Sequence, residues 1–322
     1  MILAGDIGGT KTLLGVFDVR PARPRAVYTR AFSTTDFPGL TAMLAVFGQD
    51  EDAAGLPLSS ACFGVAGPVL GDVAELTNVP FTIDAVAVSH QLDVPRVRLL
   101  NDLQAMASAV PVLEGDELHV LQAGEAIRGG NVALIAAGTG LGQALLHNVD
   151  GRLVPAASEG GHADWAARTD RDITLLRSLL RRYGRAEVEH VIAGRGLLNI
   201  FEVTHMAPCS ASIDPDAPDA PAAITGAALR RRCPMCVESL EIFVDAYGAE
   251  AGNLALRVMA TGGVFIGGGI APKILPALTD GRFMRAFLEK GPMRDLLAEV
   301  PVKVILNADA GLLGAAAYAA TL

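Results

Sequence analysis

Short apolar runs, each closed by glycine or by a polar pair, recur along the chain and read as buried strands. Residues 2–9 (ILAGDIGG) and 12–19 (TLLGVFDV) lie on either side of a glycine turn, and both are apolar enough for central strands. RPARPR at 20–25 makes a surface loop. SACFGVAG at 60–67 is another buried strand, ending at Gly67-Pro68. RVRLL at 96–100 is a further strand, and NDLQAMASAV at 101–110 begins a helix. The strand–turn–strand pattern then returns at 131–151 (NVALIAAGTGLGQALLHNVDG), which points to a duplicated architecture.

The second half is more helical. Asp170 or Asp172 is placed to cap an amphipathic helix through LLRSLLRRYG, stopped by Gly184. The Pro/Asp/Ala-rich stretch 206–223 reads as a long surface loop, and a helical pattern runs from Pro234 to residue 260. VFIGGGIAP at 264–272 is a strand ending in a glycine turn, with Pro272 suited to the first turn of the next helix. VKVIL at 302–306 is a late strand, and NADAGLLGAAAYAA at 307–320 closes the chain as a helix of small residues. Alternating strands and helices predict an α/β class with largely parallel sheets.

Composition narrows the partners. The 322 residues suffice for one large domain or two ordinary ones, and 51% hydrophobic against 19% charged residues is ample for a core. A formal net charge of −9 provides no basic face for nucleic acid, so small molecules are the expected partners. No charged segment followed by an apolar one opens the chain, and the uncharged stretch near 258–272 is broken by glycines; no membrane association is expected, and a cytoplasmic protein is. Cys62, Cys209, Cys233 and Cys236 are too few for a disulfide framework. CPMC at 233–236 has CxxC spacing but lacks a second CxxC or a paired His, so free cysteines at a helix start are the reading.

Three glycine-rich turns follow strong strands: DIGGT at 6–10, AGTGLG at 137–142 and IGGGIAP at 266–272. Each removes Cβ atoms where a strand ends, so that backbone N–H groups can face a phosphate closely. One such turn also suits a plain hairpin; three in one chain favour nucleotide binding. No Gly-Lys pair exists for a P-loop, and AGTGLG lacks the spacing of a dinucleotide fingerprint. Asp6 stands just before Gly8-Gly9, where an acid would repel phosphate unless a divalent cation lay between them. It therefore reads as a Mg²⁺ partner, directly or through water, with a turn-capping Asp as the competing reading.

DIGGTKT, LLND, AGTGLG, EGGH and IGGGI, in this order, resemble the sugar kinases of the hexokinase/actin-like superfamily, most of all the bacterial ATP-dependent glucokinase family. EGGHADW at 159–165, GNLAL at 252–256 and GLLGAA at 311–316 extend the resemblance over the whole chain. It implies duplicated actin-like (ribonuclease H-like) α/β domains, each a mixed sheet flanked by helices, with an interdomain cleft that closes on the sugar. The implied division is a small domain of 1–112 plus 308–322 and a large one of 113–307, assembled as a homodimer. Related kinases of the ROK group carry a cysteine-rich zinc motif after the GH. HADWAARTDRD at 162–172 has no Cys, so the chain is expected to be of the non-ROK type, with no structural zinc. The family often has Trp after its TN.P pattern; TNVPF has Phe81 there.

The chemistry is then ATP- and Mg²⁺-dependent phosphorylation of the 6-hydroxyl of glucose. Asp102, where a strand ends at the ligand-facing edge of a sheet, is the candidate base, and a helix N-terminus favours its ionised form. Capping that helix is the competing role of the Asn101-Asp102 pair. The resemblance implies that Asn101, Asp102, Glu159, His162 and Glu189 bind the sugar. It also implies that Gly5, Asp6, Ile7, Gly8, Gly9 and Thr10 bind the nucleotide, with Gly8, Gly9 and Thr10 at the β- and γ-phosphates, Gly138, Thr139 and Gly140 serving from the other domain and Gly268 and Gly269 beside the adenosine. Lys11 either neutralises phosphate charge or points to solvent. A kinase of mannose, fructose or an N-acetylhexosamine, or a non-catalytic sugar sensor on the same fold, are the alternatives.

Overall fold

The computed structural model describes residues 1–76, 79–80 and 82–322; Thr77, Asn78 and Phe81 of the TNVPF segment lie outside the described residues. The chain divides into two compact units, Met1–Gly115 with Leu153–Ala157 and Asn307–Leu322, and Asp116–Arg152 with Ser158–Leu306.

In the first unit, β1 (Ile2–Ile7), β2 (Lys11–Asp18), β3 (Arg25–Ser33) and β4 (Ser60–Val65) precede a small meander of β5 (Val69–Leu70), β6 (Val73–Glu75) and β7 (Thr82–Asp84); β8 (Val97–Asn101) follows. The main sheet runs β3-β2-β1-β4-β8. β1 pairs antiparallel with β2 and parallel with β4, and β4 is parallel to β8. Period-two alternation sends Leu3 and Ile7 to one face, where α1 (Leu40–Phe47) and α2 (Ala85–Leu92) complete a core. Ile2 and Ala4 face the other side, against α3 (Asp102–Ala109) and the C-terminal helix Ala310–Ala319. Small residues let those two helices approach closely: a Cβ on Gly314 would collide with the carbonyl of Ala105.

In the second unit, β9 (Leu118–Gln122), β10 (Val132–Ala137), β11 (Leu141–Val149), β12 (Gly263–Gly267) and β13 (Val302–Ile305) lie in the order β11-β10-β12-β13-β9. β10 pairs antiparallel with β11 and parallel with β12, repeating the β2-β1-β4 arrangement of the first unit. The duplication visible in the sequence is thus a duplication of strand order. The expected largely parallel sheets are mixed instead. A glycine turn this short can only join antiparallel neighbours, whereas a parallel pair needs a crossover.

Helices α4 (Asp170–Tyr183), α5 (Gly194–Thr204), α6 (Ala220–Leu229) and α7 (Pro234–Val258) supply most of the second core. Short helices α8 (Leu275–Leu278), α9 (Arg282–Leu288) and α10 (Arg294–Ala298) follow β12, which makes the C-terminal helix α11. Three local expectations are corrected. Thr169 caps α4, because a cap needs the extended backbone found there, while Asp172 is already helical and returns the bond by accepting from the Thr169 N–H at 3.1 Å. The loop expected through 223 ends at Asp219, where Ala220-Pro221 starts α6 with proline in its first turn. Pro272 opens a 3₁₀ turn, Ala271–Ile274, ahead of α8.

α7 is buried along most of its length, including Gly252, Leu254 and Ala255, so the apolar GNLAL segment is core material. Among the described residues no helix is long and apolar enough to cross a membrane. The Tyr247 hydroxyl of α7, fully buried, accepts from the Ala137 N–H at 3.2 Å and lies 3.3 Å from the Ile135 carbonyl and 3.4 Å from that of Gly267. It ties the ends of β10 and β12 together. Tyr247→Phe leaves the Ala137 N–H without that partner, and a loss of about 1–3 kcal/mol in urea unfolding is expected, with no loss of helix content by circular dichroism.

Candidate functional site

Two polar clusters stand at strand ends, one in each unit. In the first, the parallel register sets Asp6 beside Gly64 and Val65 beside Asn101, so β1, β4 and β8 finish together. The Gly8–Thr10 turn is closed by the Gly8 N–H donating to the Lys11 carbonyl at 3.0 Å. Thr34 braces it: its hydroxyl donates to the Gly8 carbonyl at 2.8 Å and its N–H to the Thr10 carbonyl at 2.9 Å. Gly5 and Ile7 lie within β1, Gly5 packed over Phe63 and Ile7 fully buried, so a ligand would meet only their backbone. Lys11 is exposed at the start of β2.

Asn101 is the cap of α3. Its Oδ1 accepts from the Leu103 N–H at 2.9 Å, its N–H donates to Gln104 Oε1 at 3.2 Å, and its amide donates to the Gly67 carbonyl at 3.3 Å. Asp102 is the first helical residue, and its Oδ1 accepts from the Leu103 N–H at 2.9 Å. The capping role therefore falls on Asn101, which leaves Asp102 at the positive end of the helix. Burial, then the charges of Asp102 and Asp309, push Asp6 up to about 6, with Lys11 opposing them. Asp309 was not singled out in the sequence; it lies four positions beyond the last strand, before α11, and only the fold brings it within the field of Asp6.

The donor set suits Mg²⁺. The charges of Asp102 and Asp309 both act on a largely buried Asp6, and that repulsion is what a hard divalent cation relieves.

In the second unit, β10 and β12 end side by side, with Ala136 opposite Gly267, so the turns at 138–140 and 268–269 are neighbours. Gly138 donates to the Gly140 carbonyl at 2.8 Å and accepts from the Gly194 N–H, which begins α5, at 2.9 Å. Gly268 has φ +82°, and a Cβ there would strike the backbone of Ala137. Thr139 and Gly269 are exposed at the tips.

Beside these turns the EGGH and EVEH segments are laced by backbone bonds: Glu189 N–H to the Gly161 carbonyl at 2.9 Å and Val188 N–H to that of Ala163 at 3.0 Å. Glu189 Oε2 accepts from the Leu141 N–H at 2.8 Å, directly after the glycine turn. His162 Nδ1 lies 2.8 Å from Glu187 Oε2, and that bond, opposed by burial and aided by Glu189, Glu187 and Glu159, raises the imidazole above its ordinary range. Glu159, His162 and Glu189 are thus brought into one cluster. Glu187, which orients the imidazole, was missed; its alternation with Glu189 in EVE was the available signal.

A family model described as Glucokinase matches residues 3–322. The chain is similar to the glucokinase of Nostoc sp., 38% identical over 346 residues, covering 100% of this chain and 99% of the relative. It is also similar to the crystal structure of a glucokinase from an Antarctic psychrotroph, with a TM-score of 0.88, 30% identity, and 100% and 99% of the two chains covered. A ROK family glucokinase from Streptomyces griseus, solved with glucose and AMPPNP, has a TM-score of 0.68 at 21% identity, covers 100% and 99%, and shares the fold.

A carboxyl group raised from 3.8 to about 6 disfavours the folded state wherever it is ionised. The cost is absent well below 3.8, grows through the window up to about 6, and is constant above it. Asp6→Asn is expected to stabilise the protein, in the absence of divalent cations, by about 1–3 kcal/mol near pH 7.5 and by distinctly less near pH 4.5. Urea midpoints that shift equally at both pH values would contradict the burial argument.

Proposed function

The chain belongs to the glucokinase family, ATP-dependent kinases of glucose, and on that premise we propose that Asp102 is the general base of the reaction. The observation that carries this reading is that Asp102 heads α3 next to the cap and lies within the electrostatic reach of Asp6. The base and the cation-binding acid then share one patch at the ends of β1 and β8.

Asp102 takes the proton from the 6-hydroxyl of glucose as that oxygen attacks the γ-phosphorus of ATP; the new O–P bond forms while the bond to the β-phosphate oxygen breaks and ADP leaves. Holding hydroxyl and phosphorus in line supplies more of the rate than proton transfer, which adds ~10²–10⁴-fold. Asn101, Glu159, His162 and Glu189 bind sugar hydroxyls, and the cluster of acceptors around His162 suits a polyol. Glu187 holds the imidazole with Nδ1 toward the carboxylate, so Nε2 is the ring atom left for a hydroxyl.

The N–H groups at Gly8, Gly9 and Thr10 and at Gly138, Thr139 and Gly140 bind phosphate oxygens, and Gly268 and Gly269 flank the adenosine. Asp6 would hold Mg²⁺, directly or through water, with Asp309 nearby; when bound, the ion supplies charge neutralisation on the β- and γ-phosphates. The first unit is read as the small domain and the second as the large one, with the chain of the non-ROK type. A homodimer, which the family implies, would use a surface other than the buried GNLAL segment.

Asp102→Asn keeps an oxygen for the Leu103 N–H and so spares the helix. Its kcat with glucose and Mg-ATP is expected to fall by about 10²-fold or more, while glucose affinity by calorimetry stays within a few-fold. A near-normal kcat would remove Asp102 as the base, and mannose, fructose or an N-acetylhexosamine outperforming glucose in the same assay would change the substrate.

A further inference from the structure

We propose that His205, Cys209, Cys233 and Cys236 form a structural zinc site in the second unit. Cys233 and Cys236 flank the start of α7, and His205 ends α5; Cys209 stands in the Pro/Asp-rich segment between α5 and α6. Their four ligand atoms all lie within 4.8 Å of one another, and Cys233 and Cys236 are fully buried.

The spacing between these atoms is that of a coordination shell. Cys209 Sγ is 3.8 Å from Cys236 Sγ, and His205 Nε2 is 3.6 Å from Cys233 Sγ and 3.7 Å from Cys236 Sγ. Tetrahedral zinc with Zn–S of about 2.3 Å and Zn–N of about 2.0 Å separates its ligands by roughly 3.5–3.8 Å. A disulfide would instead need sulfurs about 2 Å apart. All four cysteines are free thiols in this structure.

The imidazole is oriented for the task. His205 Nδ1 is 3.0 Å from the Phe201 carbonyl, which can only accept, so Nδ1 carries the hydrogen and Nε2 presents its lone pair to the sulfurs. A carbonyl on the far nitrogen is the usual outer partner of a zinc-bound histidine. The ring also stacks on Phe201 at 3.6 Å between centroids, and Thr204, bonded to Ser239 of α7 at 2.7 Å, lies 3.2 Å from the same nitrogen. Pro234 at the first turn of α7 and the sulfur of its cap residue Cys233 place one ligand at a helix N-terminus, where a thiolate is favoured. Three thiolates and a neutral histidine around Zn²⁺ leave one net negative charge, and Arg230, Arg231 and Arg232 immediately precede Cys233 in the chain.

The ligands come as His205-x₃-Cys209 and Cys233-x₂-Cys236, two short-spaced pairs with a helix between them. The expectation of free cysteines and no zinc rested on the absence of a second CxxC and of cysteines after the GGH turn. The partner pair is instead a mixed His/Cys pair at the end of another helix. Bound there, zinc joins the C-terminus of α5, the 206–219 segment and the N-terminus of α7, and the phosphate turns lean on α7 through Tyr247.

The test is metal content of the full-length protein, grown with zinc and purified without chelator or reductant. About one zinc per chain is expected by plasma mass spectrometry. Cys209→Ser, Cys236→Ser and His205→Gln are each expected to hold less than about a tenth of that after dialysis against a chelator, while Cys62→Ala, in the other unit, holds the full amount. Should the variants fail to fold, the unaltered protein refolded with Co²⁺ is expected to show thiolate-to-cobalt charge transfer and the intense visible bands of a tetrahedral ion. Protein free of zinc in which Cys209, Cys233 and Cys236 react freely in the native state, a Cys209–Cys236 disulfide, or the weak cobalt spectrum of six oxygen ligands would each overturn the proposal.

Discussion

The backbone ladder of a glycine-turned hairpin with a parallel strand laid along its first arm is the constraint on which the rest depends, and the chain uses it twice. β1, β2 and β4 form one copy and β10, β11 and β12 the other. Parallel neighbours must finish at one edge, so whatever follows them is gathered there without long-range design. In the first unit this gathers Asp6, the Gly8–Thr10 turn and the Asn101-Asp102 pair. In the second it gathers the turns at 138–140 and 268–269, with Glu189 anchored by one hydrogen bond to the residue after the first turn. In the second copy glycine is required by space: a side chain at Gly268 would occupy the space through which the backbone passes Ala137.

Charge then differentiates the two edges. At the first, burial and like charges make Asp6 an unfavourable anion that a cation would relieve. At the second, the carboxylates of Glu159, Glu187 and Glu189 surround an imidazole that they hold above its ordinary range. On the proposed reading the first edge supplies the metal-binding acid and the base, the second the acceptors around His162 for hydroxyl groups, and the glycine turns of both meet phosphate. Asn101 and Asp102, adjacent in sequence, divide two tasks that look alike on paper, because the cap must be extended and its neighbour must already be helical. The cap fixes the helix; the neighbour is held at its positive end.

α7 links these matters to the cysteines. It is the long buried helix of the second core, and Tyr247 joins its middle to the strand ends that carry the glycine turns. A metal at its N-terminus would secure the helix where the irregular 206–219 segment offers little regular backbone pairing of its own. Stability and the geometry of the phosphate turns would then be coupled through one rigid element.

The strands, the duplicated glycine turns, the α3 start and the set of polar residues were legible in the sequence, because period-two burial, glycine and helix caps are local properties read within a few residues. The order of motifs over the whole chain likewise carried the family, which the comparisons bear out over residues 3–322. What tertiary structure alone decided are meetings between residues far apart along the chain. Mixed sheets, as the family resemblance implied, took the place of the largely parallel ones that strand–helix alternation alone predicted, because the short glycine turns pair their strands antiparallel beside the parallel ones. Asp309 reached Asp6, Glu187 reached His162, and His205 with Cys209 reached Cys233 and Cys236, each through the packing of elements whose separation in sequence conceals it. The sequence by itself determined which chemistry each segment could offer; only the fold decided which groups share a space, since burial and electrostatic coupling depend on distance in three dimensions and not on distance along the chain.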